Sequence, residues 1–331
     1  MSKSRSGQRG FVLVLTLWVL VIVTIAAAYF AERVERSVEL ARQSGQNIRA
    51  VIDMDSTRAE MLYRLGVTSI TMDGLGLGAD ALVLDDRTYQ GLGDTLVRLQ
   101  DDRGLINLNM VDDARLYNFL GLMGIPADQR GHLADTLHDY TDADNFRRLN
   151  GAEAEDYLAL GLPPPTNQNL VTPWEIRRII GWRDYPGLWE KIARLSTTSL
   201  SVGINPNTAP AEVLATLPGI TEDTARLIVV QRQQSPLMGV DQLATIAATP
   251  AEQYGMQIIA LPSNAVRITQ GIKGLPWAIQ YNVTLTPNGN DGPWRIDYYS
   301  RIGAEMKGEA KKLTPRSSAP PGQIPAFLSG S

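Results

Sequence analysis

The chain has 331 residues, of which 44% are apolar and 20% charged, and a formal net charge of −4. That balance is ordinary for a globular protein and offers no overall attraction for nucleic acid or anionic lipid. The absence of cysteine excludes disulfides, thiolate zinc and iron–sulfur sites and thiol nucleophiles, so a chain of about two domains plus an anchor must rely on core burial.

A short basic leader with Lys3, Arg5 and Arg9 ends at Gly10, and an apolar run of 20 residues without a charge follows, 11–30. As a helix this run spans about 30 Å, the hydrocarbon thickness of a bilayer. Its two threonines, Thr16 and Thr24, can bond back to carbonyls one turn earlier. Three readings compete. A cleaved secretory signal has a small-residue site in Ala26-Ala27-Ala28, but the apolar core ahead of it is too long. A plain N-terminal anchor is the second. The third is a leader of the prepilin kind, cut between Gly10 and Phe11, with the basic residues kept cytoplasmic.

Beyond residue 30 the pattern stays helical to about Leu65. Val34, Val38, Ala41, Gly45, Ile48 and Ile52 recur at spacings of three and four, a seam that Asp55 interrupts and Ala59 and Leu62 resume. The seam serves either packing on the chain's own domain or packing against neighbouring subunits. A glycine-rich loop covers 66–78. Ala81-Leu82-Val83-Leu84 and Thr95-Leu96-Val97-Arg98-Leu99 read as short strands around a turn at Gly91-Leu92-Gly93.

The next 150 residues or so read as helical. Two similar segments bracket them: Ile106-Asn107-Leu108-Asn109, leading to Gly124-Ile125, and Ile204-Asn205-Pro206-Asn207-Thr208-Ala209, leading to Gly219-Ile220. In each, the asparagines are expected to cap the following helix. The second copy, 204–232, resembles a helix-hairpin-helix, a unit that often grips the DNA backbone. Only Arg226 and Arg232 are cationic between 201 and 250, against Glu212, Glu222, Asp223 and Asp241, which favours a structural hairpin over a phosphate site.

Between the copies, 135–157 carries Asp135, Asp139, Asp142, Asp144, Glu153, Glu155 and Asp156 against Arg147 and Arg148. Closely spaced hard oxygens suit Ca²⁺ better than zinc. Asp142, Asp144 and Glu153 fall at positions 1, 3 and 12 of an EF-hand count, but Phe146 and Arg147 occupy positions that need a ligand and a glycine, so it is not an EF-hand. Metal binding and a solvated acidic loop both remain open on spacing alone. From 264 the pattern returns to strands: Ala265 to Thr269, Trp277 to Leu285 and Trp294 to Tyr299, with a connector at Asn288-Gly289-Asn290-Asp291-Gly292. Alternation in 277–285 predicts one buried face. The Lys-, Pro-, Ser- and Gly-rich stretch 306–331 reads as a disordered tail. With only His132 and His138, and no H-E-x-x-H, G-x-S-x-G or P-loop, no enzyme is expected.

The leader and apolar helix resemble those of type IV pilins and type II secretion pseudopilins. Ordinary members carry Glu as the fifth mature residue; counting from Phe11, the fifth is Leu15, which is the pattern of the K-type minor pseudopilin. That family's D-W-x-D-x-D segment, G-A-E and tyrosine are matched by Asp139-Tyr140-Thr141-Asp142-Ala143-Asp144, Gly151-Ala152-Glu153 and Tyr157, with Tyr140 in place of tryptophan. Its I-N-x-N-T-A is matched at 204–209. The resemblance implies an α+β fold with a long N-terminal transmembrane and stalk helix, a pilin-like antiparallel sheet and a large inserted all-α domain. The expected parts are a leader (1–10), a helix (11–65, transmembrane 11–30), a discontinuous head (66–110 and 256–305), an inserted helical domain (111–255) and the tail. It also implies cleavage at Gly10 and N-methylation of Phe11 by prepilin peptidase, and structural Ca²⁺ held by Asp139, Asp142, Asp144 and Glu153. The implied place is the bacterial inner membrane with a periplasmic head, at the tip of the pseudopilus, promoting assembly and protein export. The implied partners are I-type and J-type minor pseudopilins, other pseudopilins and the inner-membrane secretion platform, with no nucleic acid. The alternative is a membrane-anchored, competence-type DNA-binding protein.

Overall fold

The computed structural model describes residues 9–290, 292–303, 306 and 310–313. Helix α1 (Arg9–Val67) runs unbroken for 59 residues, about 90 Å. No proline interrupts it, and i,i+4 pairs such as Arg36–Glu32 and Arg64–Glu60 support it. Thr16 and Thr24 donate to Leu13 O at 2.9 Å and Leu20 O at 2.8 Å, so neither hydroxyl is left bare in the apolar run. Residues of the predicted seam, Val34, Val38, Ile48 and Ile52, are exposed. The stripe that is buried is a different one, Met54, Thr57, Met61 and Leu65, while Ala59 faces solvent. Of the two residues expected to resume the seam, Leu62 is buried in the head beside Met61 and Leu65 while Ala59 is exposed, so the helix meets its own sheet on a face that shares only Leu62 with the seam.

A two-residue hairpin, β1 (Ile70–Thr71) with β2 (Gly74–Leu75), opens the head, and Leu75 bridges to Leu82. The strand expected at 81–84 lies instead at β3 (Asp85–Gln90); Ala81, Leu82 and Leu84 are apolar because they are buried, not because they pair in the main ladder. After β4 (Thr95–Asp101) the chain enters the helical region through β5 (Ile106–Asn107). Helices α2 (Asp113–Leu122), α3 (Ala127–Thr141), α4 (Ala154–Ala159) and α5 (Trp189–Leu195) follow, then β6 (Ser196–Thr197), α6 (Ala211–Leu214), α7 (Glu222–Arg232) and α8 (Val240–Ala247). Strands β7 (Ala265–Ile272), β8 (Ala278–Leu285) and β9 (Trp294–Ile302) complete the head, with β10 (Lys311–Lys312) added beyond them. The sheet order is β10-β3-β4-β7-β8-β9, antiparallel except for the parallel β10–β3 pair. Strands β4 and β7 are neighbours although the whole helical region separates them in sequence, so that region is an insertion between two adjacent strands.

The tail differs from expectation. Met306 is buried against Leu96 and Ala278, and Lys311–Lys312 pairs with Tyr89 and Gln90 at the sheet edge. Lysine-rich composition suggested a solvated tail, yet lysines are well suited to an edge strand. Residues 314–331, and the leader residues 1–8, lie outside the described residues.

The sheet is buried on two faces rather than one. Val97, Leu99, Val266, Ile268, Tyr281 and Val283 pack on Met61, Leu62 and Leu65 of α1. The opposite face presents Gln100, Arg267, Thr269, Gln280 and Asn282, all buried as well, towards the helical region. Arg267 donates to the carbonyls of Ala193 and Ser196 at 3.0 and 3.2 Å, tying the insertion to this polar face. Asp102, also buried there, accepts from Thr197 and Asn282 at 2.8 and 2.7 Å, and burial pushes its carboxyl above the ordinary range.

The asparagine pairs do not cap helices. The α2 cap is Asp112, which accepts from Arg115 N, and Pro210 precedes α6. Instead Asn107 donates to Ser199 O and Ser201 O, and Asn109 to Leu170 O and Thr198 O. In the second copy Asn207 donates to Leu237 O and accepts from Leu237 N. Each side-chain amide replaces a backbone partner where irregular segments meet. In the hairpin, Arg226 pairs with Asp223 at 2.7 Å, and Arg232 is turned inward to Pro206 O.

Asp101 joins these parts. It is fully buried and accepts from Arg103 N, Asn205 Nδ2, Thr208 Oγ1, Ser263 N and Ser263 Oγ at 2.8–3.1 Å. Asp101→Ala would strand these buried donors and should lower unfolding stability by about 3–5 kcal/mol in urea titration. A loss under about 1 kcal/mol would show that the joint does not depend on this carboxylate.

Candidate metal centre

The acidic segment is positioned by α3 and the chain that folds back along it. Going along the helix, Asp135 Oδ2 accepts from Asn150 N and Nδ2 at 3.0 and 3.1 Å, His132 Nδ1 lies 2.6 Å from Asn150 O, and Asp139 accepts from Arg148 N at 3.2 Å. Helix α3 ends at Asp142, where the backbone turns extended. Glu153 occupies the N-cap position of α4, and Asp156 Oδ2 accepts from its N–H at 2.9 Å. Beneath the loop, Tyr140 packs on Tyr157 with ring centroids 6.1 Å apart, so the tyrosine at 140 serves as a buried aromatic support.

This folding brings Asp142, Asp144 and Glu153 together, each offering an oxygen within 4.8 Å of the others. Glu153 is only 7% exposed, yet neither of its oxygens finds a hydrogen-bond donor of good geometry, and Asp142 Oδ1 is likewise without one. Burial, then repulsion by Asp139 and Asp142, pushes the Glu153 carboxyl above its ordinary range; burial and Asp144 do the same for Asp142. Acceptors that are buried, mutually repelling and short of donors fit a hard divalent cation, which would satisfy the oxygens and cancel the repulsion.

Asp139, the fourth residue named from the sequence, stands beside this group rather than in it. Its carboxylate is engaged by Arg148 N and lies against Gly151. Gly151, the first residue of the G-A-E match, and Asn167 organise the loop. Gly151 lets Asp139 approach the backbone, and Asn167, in a left-handed conformation at φ 48°, donates to Asp144 O at 2.8 Å. Neither spacing nor charge marks Asn167, because its side-chain amide reaches a carbonyl more than twenty residues away in sequence. At the other end of the chain, Gly10 and Phe11 lie within α1, and Leu15 is exposed on it.

Family models described as "Type II secretion system (T2SS), protein K" match residues 96–194, which include the acidic loop, and 204–257, which open on the second asparagine pair. The type II secretion system protein K of Pectobacterium carotovorum subsp. carotovorum is 26% identical over 279 residues, covering 74% of this chain and 80% of its own length. Over both matched segments the chain is similar to the type II secretion system protein K family. A putative protein K of Escherichia coli (strain K12) is 25% identical over 265 residues, covering 71% of this chain and 78% of that one. The fold is also that of a chain from the GspK-GspI-GspJ complex of the enterotoxigenic Escherichia coli type 2 secretion system. The two superpose with a TM-score of 0.57 at 17% identity, over 79% of this chain and 99% of that one. The likeness is to a minor pseudopilin component, and the chain carries an N-terminal helix that is long and apolar enough to cross a membrane.

A Cβ at residue 151 would run into Asp139 Oδ2. Gly151→Ala should therefore displace the loop and destabilise the chain by about 1–3 kcal/mol, read as a lowered melting temperature. An unchanged melting temperature would mean that the loop is not held by this close approach.

Proposed function

We propose that this chain is the tip subunit of a type II secretion pseudopilus, where it promotes filament assembly and so protein export across the outer membrane. The observation that carries the reading is a pilin-like helix and sheet with a large helical insertion, in a chain whose fifth residue after Gly10 is Leu15 rather than glutamate. In the pilins this chain resembles, that glutamate pairs with the free amine of the neighbour above. A tip subunit has no such neighbour, and an apolar residue avoids an unpaired carboxylate in lipid. The exposed Val34, Val38, Ile48 and Ile52 leave an apolar side on α1 for packing against other pseudopilins. The make-up of the GspK-GspI-GspJ complex supports I-type and J-type minor pseudopilins as the immediate partners; the inner-membrane secretion platform would lie below.

In this reading prepilin peptidase cuts after Gly10, Phe11 becomes the N-methylated first residue, the anchor sits in the inner membrane and the head is periplasmic. Intact-mass analysis of the protein from cells containing prepilin peptidase should give a chain beginning at methylated Phe11. A chain beginning at Tyr29 would mean a cleaved secretory signal and would overturn this account.

Asp142, Asp144 and Glu153 are assigned to structural Ca²⁺, with Asp139 holding the loop from behind. Calcium at about 100 times its dissociation constant should stabilise the chain by about 2.7 kcal/mol, several degrees in melting temperature, and chelator should remove the gain. Glu153→Gln should abolish the shift. Equal melting with and without chelator would count against a bound ion.

A further inference from the structure

A groove runs between the polar face of the sheet and the helical layer. It consists of two adjoining cavities of ≈ 580 and ≈ 420 Å³ that share Trp174, Glu190, Ile302 and Gly303. Arg177, Arg178 and Arg301 line the first cavity. Arg98, Lys191, Arg194 and Arg267 line the second. Against these seven cations stand three carboxylates, Asp86, Glu175 and Glu190, so the groove is basic although the chain as a whole is acidic.

Two of the three carboxylates are already engaged. Asp86 faces Arg98 at 3.5 Å, and Glu175 accepts from Val171 N and Thr172 N. Arg194 lies 3.3 Å from Glu212, while Lys191 makes no ion pair or hydrogen bond among the described residues. Arg301 rests on the ring of Trp277 at 4.4 Å, an arrangement that leaves its edge donors free.

Unpartnered groups give a second, independent indication. Arg98 Nε, Arg267 Nε and Trp174 Nε1 are buried N–H donors without acceptors, and all three belong to groove-lining residues. Arg267 is itself buried, with its other nitrogens spent on the carbonyls of Ala193, Ser196 and Arg194. The matching acceptor is Gln280 Oε1, also buried and unpartnered. Native structures rarely leave such groups unpaired. A surplus of cations calls for a ligand rich in anionic acceptors that also brings an N–H for Glu190.

We propose that this groove binds an acidic segment of a polypeptide. Its carboxylates meet Lys191, Arg178 and Arg301, and its backbone N–H groups meet Glu190. Glu190, shared by both cavities, opposes a continuous run of phosphates but accepts from a peptide N–H. Residues 300–303 of the wall come from the end of β9, which is the sheet's edge strand, so extended backbone entering there passes unpaired strand groups.

The test is fluorescence anisotropy of the full-length chain in detergent micelles with fluorescein-labelled hexaglutamate. Hexaglutamine, a single-stranded oligonucleotide of equal charge and inorganic phosphate serve as comparison probes. Hexaglutamate should bind saturably in the micromolar range and weaken about tenfold between roughly 50 and 300 mM salt, and hexaglutamine should not bind. The double variant Lys191→Gln, Arg301→Gln changes only exposed side chains and should weaken binding about tenfold with an unaltered melting temperature, whereas Arg183→Gln, outside the groove, should leave it unchanged. Equal binding of hexaglutamine, tighter binding of the oligonucleotide, displacement by phosphate at the peptide's own concentration, or indifference to the double variant would each overturn the proposal.

Discussion

The carboxylate of Asp101 lies where the end of β4, the second asparagine pair and the segment entering β7 converge, and it takes donors from all three. A buried anion is tolerated only when its lone pairs are filled, so the three segments are obliged to meet in one arrangement. That constraint solves the topological problem of the fold. An insertion as long as the helical region, spliced between two adjacent strands, would otherwise hang on two flexible connections. Asp101 fastens both connections to each other at the sheet's end, and Asp102 and Arg267 extend the contact across its polar face.

Three polar settings in the molecule differ in how their donors and acceptors balance. At Asp101 they match, and the result is a rigid joint. In the acidic loop acceptors exceed donors: Glu153 and Asp142 keep bare oxygens while Arg148 N and Asn150 serve the acids behind them. In the groove beside β9 donors exceed acceptors, with Arg98, Arg267 and Trp174 each holding an unused N–H. Buried imbalance of this kind is unfavourable in the isolated chain and becomes favourable when the missing charge arrives. The sign of each imbalance selects what can fill it, a cation in one place and a carboxylate in the other.

Much of this was readable from sequence where chemistry follows period or charge. Helix α1, β4 and β7 to β9 announce themselves through uninterrupted apolar or alternating runs, and Asp142, Asp144 and Glu153 come together as their density suggested. Other features were hidden for identifiable reasons. Alternation in β8 distinguishes two faces but does not say what lies over the polar one, and here Gln280 and Asn282 are as covered as their apolar neighbours. The I-N-x-N segments look like helix caps because asparagine caps helices often, whereas their real partners, Leu170, Ser199 and Leu237, are far away in sequence. Met306 and the β10 lysines sit in a stretch whose composition signals solvent, and only tertiary contact with Leu96, Ala278 and β3 reveals their place.

Helix α1 reaches from the apolar run to the sheet without a break, and its last turns are embedded in the head through Met61, Leu62 and Leu65. There is no hinge along its length of about 90 Å at which motion could be absorbed. Mechanically the unbroken helix links its two ends, so a displacement or rotation at the apolar end is passed along it to the sheet. A force generator acting on the bilayer end of such a subunit therefore commands the position and the facing of everything the head carries.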